Sequence, residues 1–196
     1  MTETESKTAG QKLLFNKWDV AEVKVTDPSL MRYVTLTSLI IPHSCGKFSK
    51  QEFNKSNMMI VERLINRLMQ TEKNTGKKQL AIRIVRDAFE IINKKTKRNP
   101  VEVLVEAIGH SGPREETVRL KYGGINVPKS VDTAPLRRVG TAIGFLAEAT
   151  LKGSSTSKKS ASAVLADELI AASKGDMKCY SVGKKEERER IAKSAR

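Results

Sequence analysis

The chain has 196 residues, is 39% hydrophobic with only 5% aromatic residues, and carries a formal net charge of +14. The length suits one domain with extended ends, and the charge exceeds what solubility needs, so it favours a polyanionic partner: nucleic acid first, an anionic membrane surface second. No apolar run approaches the roughly 20 residues of a membrane-spanning helix. The start MTETESKTAGQKLL lacks the apolar core of a secretory signal and carries glutamates that a transit peptide avoids, so a cytoplasmic protein is expected.

In chain order, residues 1–12 are polar and read as disordered. LLFNKWDVAEVKVTD then alternates weakly around Trp18, Val20, Val23 and Val25, as a short strand or an extended arm does. IIPHSCGKFSKQEFNKS has no helical period and is punctuated by Gly and Pro, so it reads as a basic loop carrying Lys47, Lys50 and Lys55. Residues 1–56 are therefore expected to form an extended arm with a basic loop. His43 and Cys45 have no further ligands nearby, and Cys179 is distant, so both cysteines read as free thiols and no metal or cofactor is expected.

Helical texture begins at about Asn57, where Val61, Leu64, Ile65, Leu68 and Met69 share one helix face. Gly76 breaks it, and Leu80 to Ile92 makes a second apolar stripe. Asn99 before Pro100 is a start signal for a third helix, an N-cap followed by proline where its missing N–H matters least. VRLKYGGINVP then alternates with period two around Gly123 and Gly124, the residues of a two-residue hairpin turn. This register places Val118, Leu120, Tyr122, Ile125 and Val127 on one face and Arg119, Lys121 and Asn126 on the other. A lone hairpin is marginal in water and needs a partner along its length. Leu136 to Ala147 gives a fourth helix, LKGSSTSKKS a basic serine-rich link, and Ala161 to Ala172 a fifth helix ended by Lys174 and Gly175. From Lys184 the tail has six basic and three acidic side chains and almost no apolar face; it can be helical, and either folds on a partner or stays mobile. The expected fold is mainly α: a helical domain over 57–175 with a hairpin at about 115–132, then a basic tail over 176–196.

Between Lys47 and Arg138 twenty Lys/Arg face ten Asp/Glu, which supplies ten of the fourteen net charges. The basic residues cluster near helix ends: Lys73, Lys77 and Lys78, then Arg114, Arg119, Lys121, Arg137 and Arg138. Such clusters can converge on one surface for phosphates. The helix start after Gly76 adds free backbone N–H groups beside Lys77 and Lys78. Only Tyr122 is placed to stack on a base, which points to folded, largely double-stranded RNA or duplex DNA. Catalytic motifs are absent: NTGKK lacks the first glycine and the Ser/Thr of a P-loop, and His110 in IGHSGP suits a helix cap.

From Glu62 to Ala88 the chain reads ERLINRLMQTEKNTGKKQLAIRIVRDA. The spacing of Glu62, Leu64, Leu68, Met69, Gly76-Lys77-Lys78, Ile84, Val85 and Ala88 resembles the signature of the universal small-subunit ribosomal protein seven family, called protein five in older eukaryotic naming. SGPREETVR, APLRRV, LADELIAASKG and RERIAKSAR look like its eukaryotic and archaeal branch, and KLLFNKWDV resembles the eukaryotic extension. The resemblance implies a bundle of about six helices with one protruding β-hairpin. It implies a non-enzymatic protein that binds the 3′ major domain of small-subunit ribosomal RNA, helps assemble the head and lines the exit-site transfer RNA and messenger path. Neighbouring ribosomal proteins are implied partners; a membrane and self-association are not. A eukaryotic cytoplasmic ribosome with nucleolar transit is the implied location. Carried onto this chain, the ribosomal RNA contacts fall at Lys47, Lys50, Lys55, Lys73, Lys77, Lys78, Arg114, Arg119, Lys121, Arg137 and Arg138, with Lys158 and Lys159 for their charge. The transfer RNA and messenger side falls at Tyr122, Gly123, Gly124, Ile125, Asn126, Lys193 and Arg196. The tip KYGGINVP departs from the more basic eukaryotic tips toward the bacterial glycine pair. Composition alone also permits a duplex-DNA architectural protein, and an RNA-cleaving enzyme with His110 as base is the third reading.

Overall fold

Six helices and one hairpin organise the described chain, which covers residues 12–70 and 74–196 of this computed structural model. The expected disorder of residues 1–11 lies outside the described residues. The helices are α1 (Ile60–Leu68), α2 (Lys78–Thr96), α3 (Pro100–Ser111), α4 (Pro135–Thr156), α5 (Ala161–Ser173) and α6 (Tyr180–Ser194). Strands β1 (Glu115–Tyr122) and β2 (Ile125–Asp132) sit between α3 and α4.

The apolar stripes read from the sequence meet around α5. Its Leu165, Ala166, Leu169 and Ala172 are buried, and the helix packs against α2, α3 and α4 at once. Small side chains on α5 permit that close approach on several sides. Gly153 of α4 does the same from across the contact: a Cβ there would lie 2.5 Å from Val164 Cγ1. α1 packs on α4 and α2 and completes the core through Ile60, Val61, Leu64 and Ile65.

Helix starts follow local chemistry. The Asn99 side chain accepts from Val101 N at 3.1 Å and caps α3, as its sequence signal indicates. Ser160 Oγ accepts from Ala163 N and caps α5. α6 has no cap of its own at Cys179; Glu168 of α5 reaches across instead, accepting from the Ser181 amide at 2.8 Å and its hydroxyl at 2.7 Å.

Two expectations are corrected, and the tail finds its place. The segment read as a strand or extended arm is wound into turns and contributes Leu14, Val20, Leu30 and Val34 to the core, with the Phe15 ring edge-on to Phe89 at 6.4 Å. Its weak alternation marks residues that dip into a core supplied by later helices. The serine-rich link is mostly helix, because α4 runs on to Thr156. The hydroxyls of Ser155 and Ser157 return to the carbonyls of Leu151 and Gly153 at 2.8 and 2.7 Å, so the polar residues satisfy the helix end they were expected to break. The tail is helical, as its sequence allows, and it packs on the domain. Its Val182 and Ala192 are buried, and α6 packs on α4 and β1.

The hairpin register agrees with the sequence reading: Tyr122 pairs with Ile125, Leu120 with Val127 and Val118 with Lys129. Gly123 and Gly124 both have positive φ, +53° and +87°, as a two-residue turn of this hand requires. The support that a lone hairpin needs comes from α6 at its base. Ser130 N donates to Ala195 O at 3.3 Å, Arg114 N donates to Glu189 Oε1 at 2.9 Å, and Arg196 pairs with Glu115. Beyond that base, every residue from Lys121 to Lys129 is exposed.

The α4–α5 contact gives a test. Gly153→Ala forces a methyl onto Val164 and should cost about 1–3 kcal/mol. In a chain of this size, each kcal/mol lowers the melting temperature by about 2–4 °C. Adding Val164→Ala should restore part of the loss; a single variant that melts like the wild type would refute the close contact.

Candidate nucleic-acid interface

A groove runs over the first half of α4, between α1 and α6. One cavity of about 520 Å³ is lined by Phe53, Lys55, Arg67, Arg137, Gly140, Gly144, Phe145 and Arg188, among others. A second of about 230 Å³ shares Lys55, Arg67 and Gly140 with it and adds Arg63 and Asn66. Four elements supply these cations: the 3-10 turn Asn54–Asn57, α1, α4 and α6. Gly144 sets the floor, because a Cβ there would press on the Arg67 guanidinium at 3.2 Å.

What marks the groove is that cations from several elements meet there with few carboxylates between them. Some cations elsewhere are paired: Lys17 with Glu90, Lys95 and Lys159 with Asp167, Arg98 with Glu102 and Glu106. In the groove, Lys55, Arg63, Arg67 and Arg188 form no ion pair among the described residues. Arg67 donates to Gln70 Oε1, and Arg188 lies over the Phe145 ring at 4.7 Å. Arg63 donates to Tyr33 O at 3.0 Å, and burial pushes its pKa down to about 10, which leaves it charged at neutral pH. The walls also carry one carboxylate, Glu148, which pairs with Lys152; the cations outnumber it, and such an excess of one sign in a cleft focuses a positive potential into it.

The residues carried over from the sequence are thereby sorted. Lys55 and Arg137 line the groove, although Arg137 also pairs with Glu116. Lys47, Lys50 and Lys77 are exposed, Lys47 near the Phe48 ring and Lys77 at the start of α2. Arg114, Arg119 and Lys121 are exposed at the hairpin, as are Tyr122, Gly123, Gly124, Ile125 and Asn126 at its tip. Lys158 and Lys159 lie beyond the far end of α4, away from the groove, and Lys159 is paired. Lys193 is exposed, whereas Arg196 is tied to Glu115. Lys73 lies outside the described residues.

Two expected contact residues are tied into the fold. Arg138 is 7% exposed. Its guanidinium donates to Asp27 Oδ2 at 2.7 Å, Ser29 Oγ at 3.2 Å, Gly109 O at 3.1 Å and Gly112 O at 3.2 Å. Arg137 and Arg138 are neighbours on a helix, about 100° apart, so one enters the groove and the other the interior. Lys78 Nζ lies 3.0 Å from Glu62 Oε1 and 2.7 Å from His43 Nδ1. Glu62 is 1% exposed and also accepts from Ser44 N and Ser44 Oγ at 2.8 and 2.9 Å. Burial raises its pKa, but the Ser44 amide, Lys78 and the Ser44 hydroxyl outweigh that, so the carboxyl titrates below its usual value. The long spacing from Glu62 to Lys78 thus closes one buried ion pair. Its partner His43 faces lysine, and no metal-binding cluster occurs among the described residues. His110 Nδ1 faces Ala172 O at 3.2 Å, at the end of α5.

Sequence reasoning missed Arg63, Arg67, Arg188 and Phe53. The three arginines sit within helices, where a cation reads as a solvated face, and a single phenylalanine in a loop reads as core.

The sequence profile of the family described as ribosomal protein S7p/S5e matches residues 30–196. A small ribosomal subunit protein uS7 from Methanoregula boonei is 82% identical over 194 residues, covering 99% of this chain and 95% of its own length. Those from Methanospirillum hungatei and Haloarcula marismortui are 65% and 53% identical, covering 98% and 99% of this chain and 100% and 93% of their own lengths. These relatives are archaeal, so the eukaryotic source expected from KLLFNKWDV is not supported, and the nucleolar transit tied to it loses its basis.

Two measurements separate structure from contact. Arg138→Met should destabilise the fold by about 2–4 kcal/mol, since it strands Asp27 and two carbonyls. It should leave the salt dependence of RNA binding unchanged in the folded protein; a phosphate-contacting arginine would instead flatten the slope by about 1. Glu62 has a folded pKa below its unfolded value, so its stabilisation is present above the unfolded pKa and is lost as pH falls through the folded one. Glu62→Gln should therefore be less stable than wild type at pH 7, by about 1–3 kcal/mol. The gap should close with acidification below about pH 4.3; a gap constant from pH 7 to 3 would refute the charged role.

Proposed function

Because the chain belongs to the ribosomal protein S7p/S5e family, a structural and non-enzymatic family of the small ribosomal subunit, we propose that its groove over α4 binds ribosomal RNA through the phosphate backbone. The observation that carries this reading is the convergence of Lys55, Arg67 and Arg188 on one cleft, with no ion pair to any of them among the described residues. An exposed anionic backbone relieves the mutual repulsion of such cations and releases its own counterions. The protein works in the ribosome, in the cytoplasm, among ribosomal RNA and neighbouring ribosomal proteins. The RNA taken by the groove belongs to the 3′ major domain of the small-subunit RNA, and binding helps to assemble the head.

The hairpin serves a second contact. Its exposed finger, from Lys121 to Lys129, projects from a base that α6 braces, so Tyr122 and Ile125 reach toward the exit-site transfer RNA and the messenger. Lys193 is exposed on the same bracing helix, and we assign it to that path. Arg196 acts there through its hold on Glu115 at the hairpin base.

Binding of the full chain to small-subunit ribosomal RNA should fall by about 10³- to 10⁵-fold between 50 and 200 mM salt, if about 6–10 phosphates are neutralised as on duplex DNA. Lys55→Gln, Arg67→Gln and Arg188→Gln should each weaken binding to RNA of any sequence and lower the salt slope by about 1. Affinity flat across that salt range, or unchanged slopes in all three variants, would overturn the assignment of the groove.

A further inference from the structure

Resting on that RNA reading, we infer that the groove holds one unpaired nucleotide, its base stacked on Phe53 and its phosphate against Lys55 and Arg67. Phe53 is 74% exposed, more than any other large apolar side chain among the described residues. Its backbone is left-handed, with φ +60°, a conformation that a bulky residue adopts only at a cost. It is held there locally: the Ser56 amide and hydroxyl donate to Phe53 O at 3.1 and 2.9 Å. A strained backbone and an uncovered ring both disfavour the free protein, and packing explains neither, since the ring touches no core. A flat apolar ligand laid on the ring recovers the burial that the free protein forgoes.

The surroundings identify the ligand. Lys55, two residues on, and Arg67 and Arg188 across the groove have no carboxylate partner among the described residues. The floor is open at Gly140, where a Cβ would meet nothing within 4 Å, although alanine would favour the middle of α4. Aromatic face, neighbouring cations and a bare floor match base, phosphate and ribose. An apolar peptide would use the ring and leave the cations unmet. The interior of a paired A-form helix offers no base face, so the nucleotide is bulged, looped or flipped. The sequence placed only Tyr122 for stacking and pointed to paired RNA; Phe53 changes that for this groove.

The test uses the full chain and two RNA stem-loops of equal length, one fully paired and one with a single 2-aminopurine bulge. Wild type should prefer the bulged RNA by about 10- to 100-fold and change the fluorescence of the bulged base. Phe53→Ala should abolish the preference while keeping affinity for the paired RNA and its salt slope, and Phe53→Trp should retain the preference. Phe53→Gly relaxes the left-handed backbone, so it should melt no lower than wild type and still lose the preference, which separates stacking from folding. Equal binding of both RNAs by wild type, or a preference that survives Phe53→Ala, would overturn the inference and leave the RNA reading intact. Binding to neither RNA, or binding independent of salt, would overturn the RNA reading as well.

Discussion

The buried guanidinium of Arg138 is the constraint on which the functional geometry rests. From the first turn of α4 it gathers the carbonyls of Gly109 and Gly112, at the end of α3, together with Asp27 and Ser29 of the N-terminal segment. Carbonyls at a helix C-terminus lack partners and carry partial negative charge, so a cation placed there satisfies both needs. Gly112 makes room, because a Cβ at that position would sit 2.7 Å from Arg138 Cγ. The hairpin leaves the chain at Glu115 and returns by Asp132, between these two anchored ends. One side chain therefore fixes where the hairpin emerges and how α4 presents its other face to the groove.

A second buried charge does the same at the start of α1. Glu62 ties the loop at Ser44 to the start of α2 through Lys78, so the N-terminal segment is held at both Asp27 and Ser44. Between those points it runs past Thr35, which accepts Ile60 N and donates to Ser56 O. Ser56 in turn holds Phe53. The position of the exposed ring is thus the outer end of a chain of hydrogen bonds that begins in the core.

Charge acts in opposite ways in these places. Inside, each cation has acceptors close by and contributes to the fold. In the groove the cations outnumber their acceptors, and their fields add. Elsewhere on the surface, pairs such as Lys95 with Asp167 cancel and contribute little to binding or stability. A net charge of +14 is spread along the whole sequence, but the part available to RNA is the part that tertiary structure leaves unpaired.

The apolar stripes of the helices, the Asn99-Pro100 start and the hairpin with its Gly-Gly register were determined by sequence alone. Each depends on the period of one local element or on the chemistry of adjacent residues. The spacing from Glu62 to Lys78 carried the family resemblance without disclosing its physical meaning, which is an ion pair closed across two helices. The fate of each basic residue was decided only by the tertiary structure. Arg137 and Arg138 are indistinguishable in sequence, yet the turn of a helix sends one to the groove and one to the interior. The helical tail lacks an apolar face sufficient to fold by itself, and it folds because the hairpin base, α4 and Glu168 meet it. The groove joins residues from 53 to 188, and no local pattern can bring such distant positions together; only the packing of α1, α4 and α6 does so.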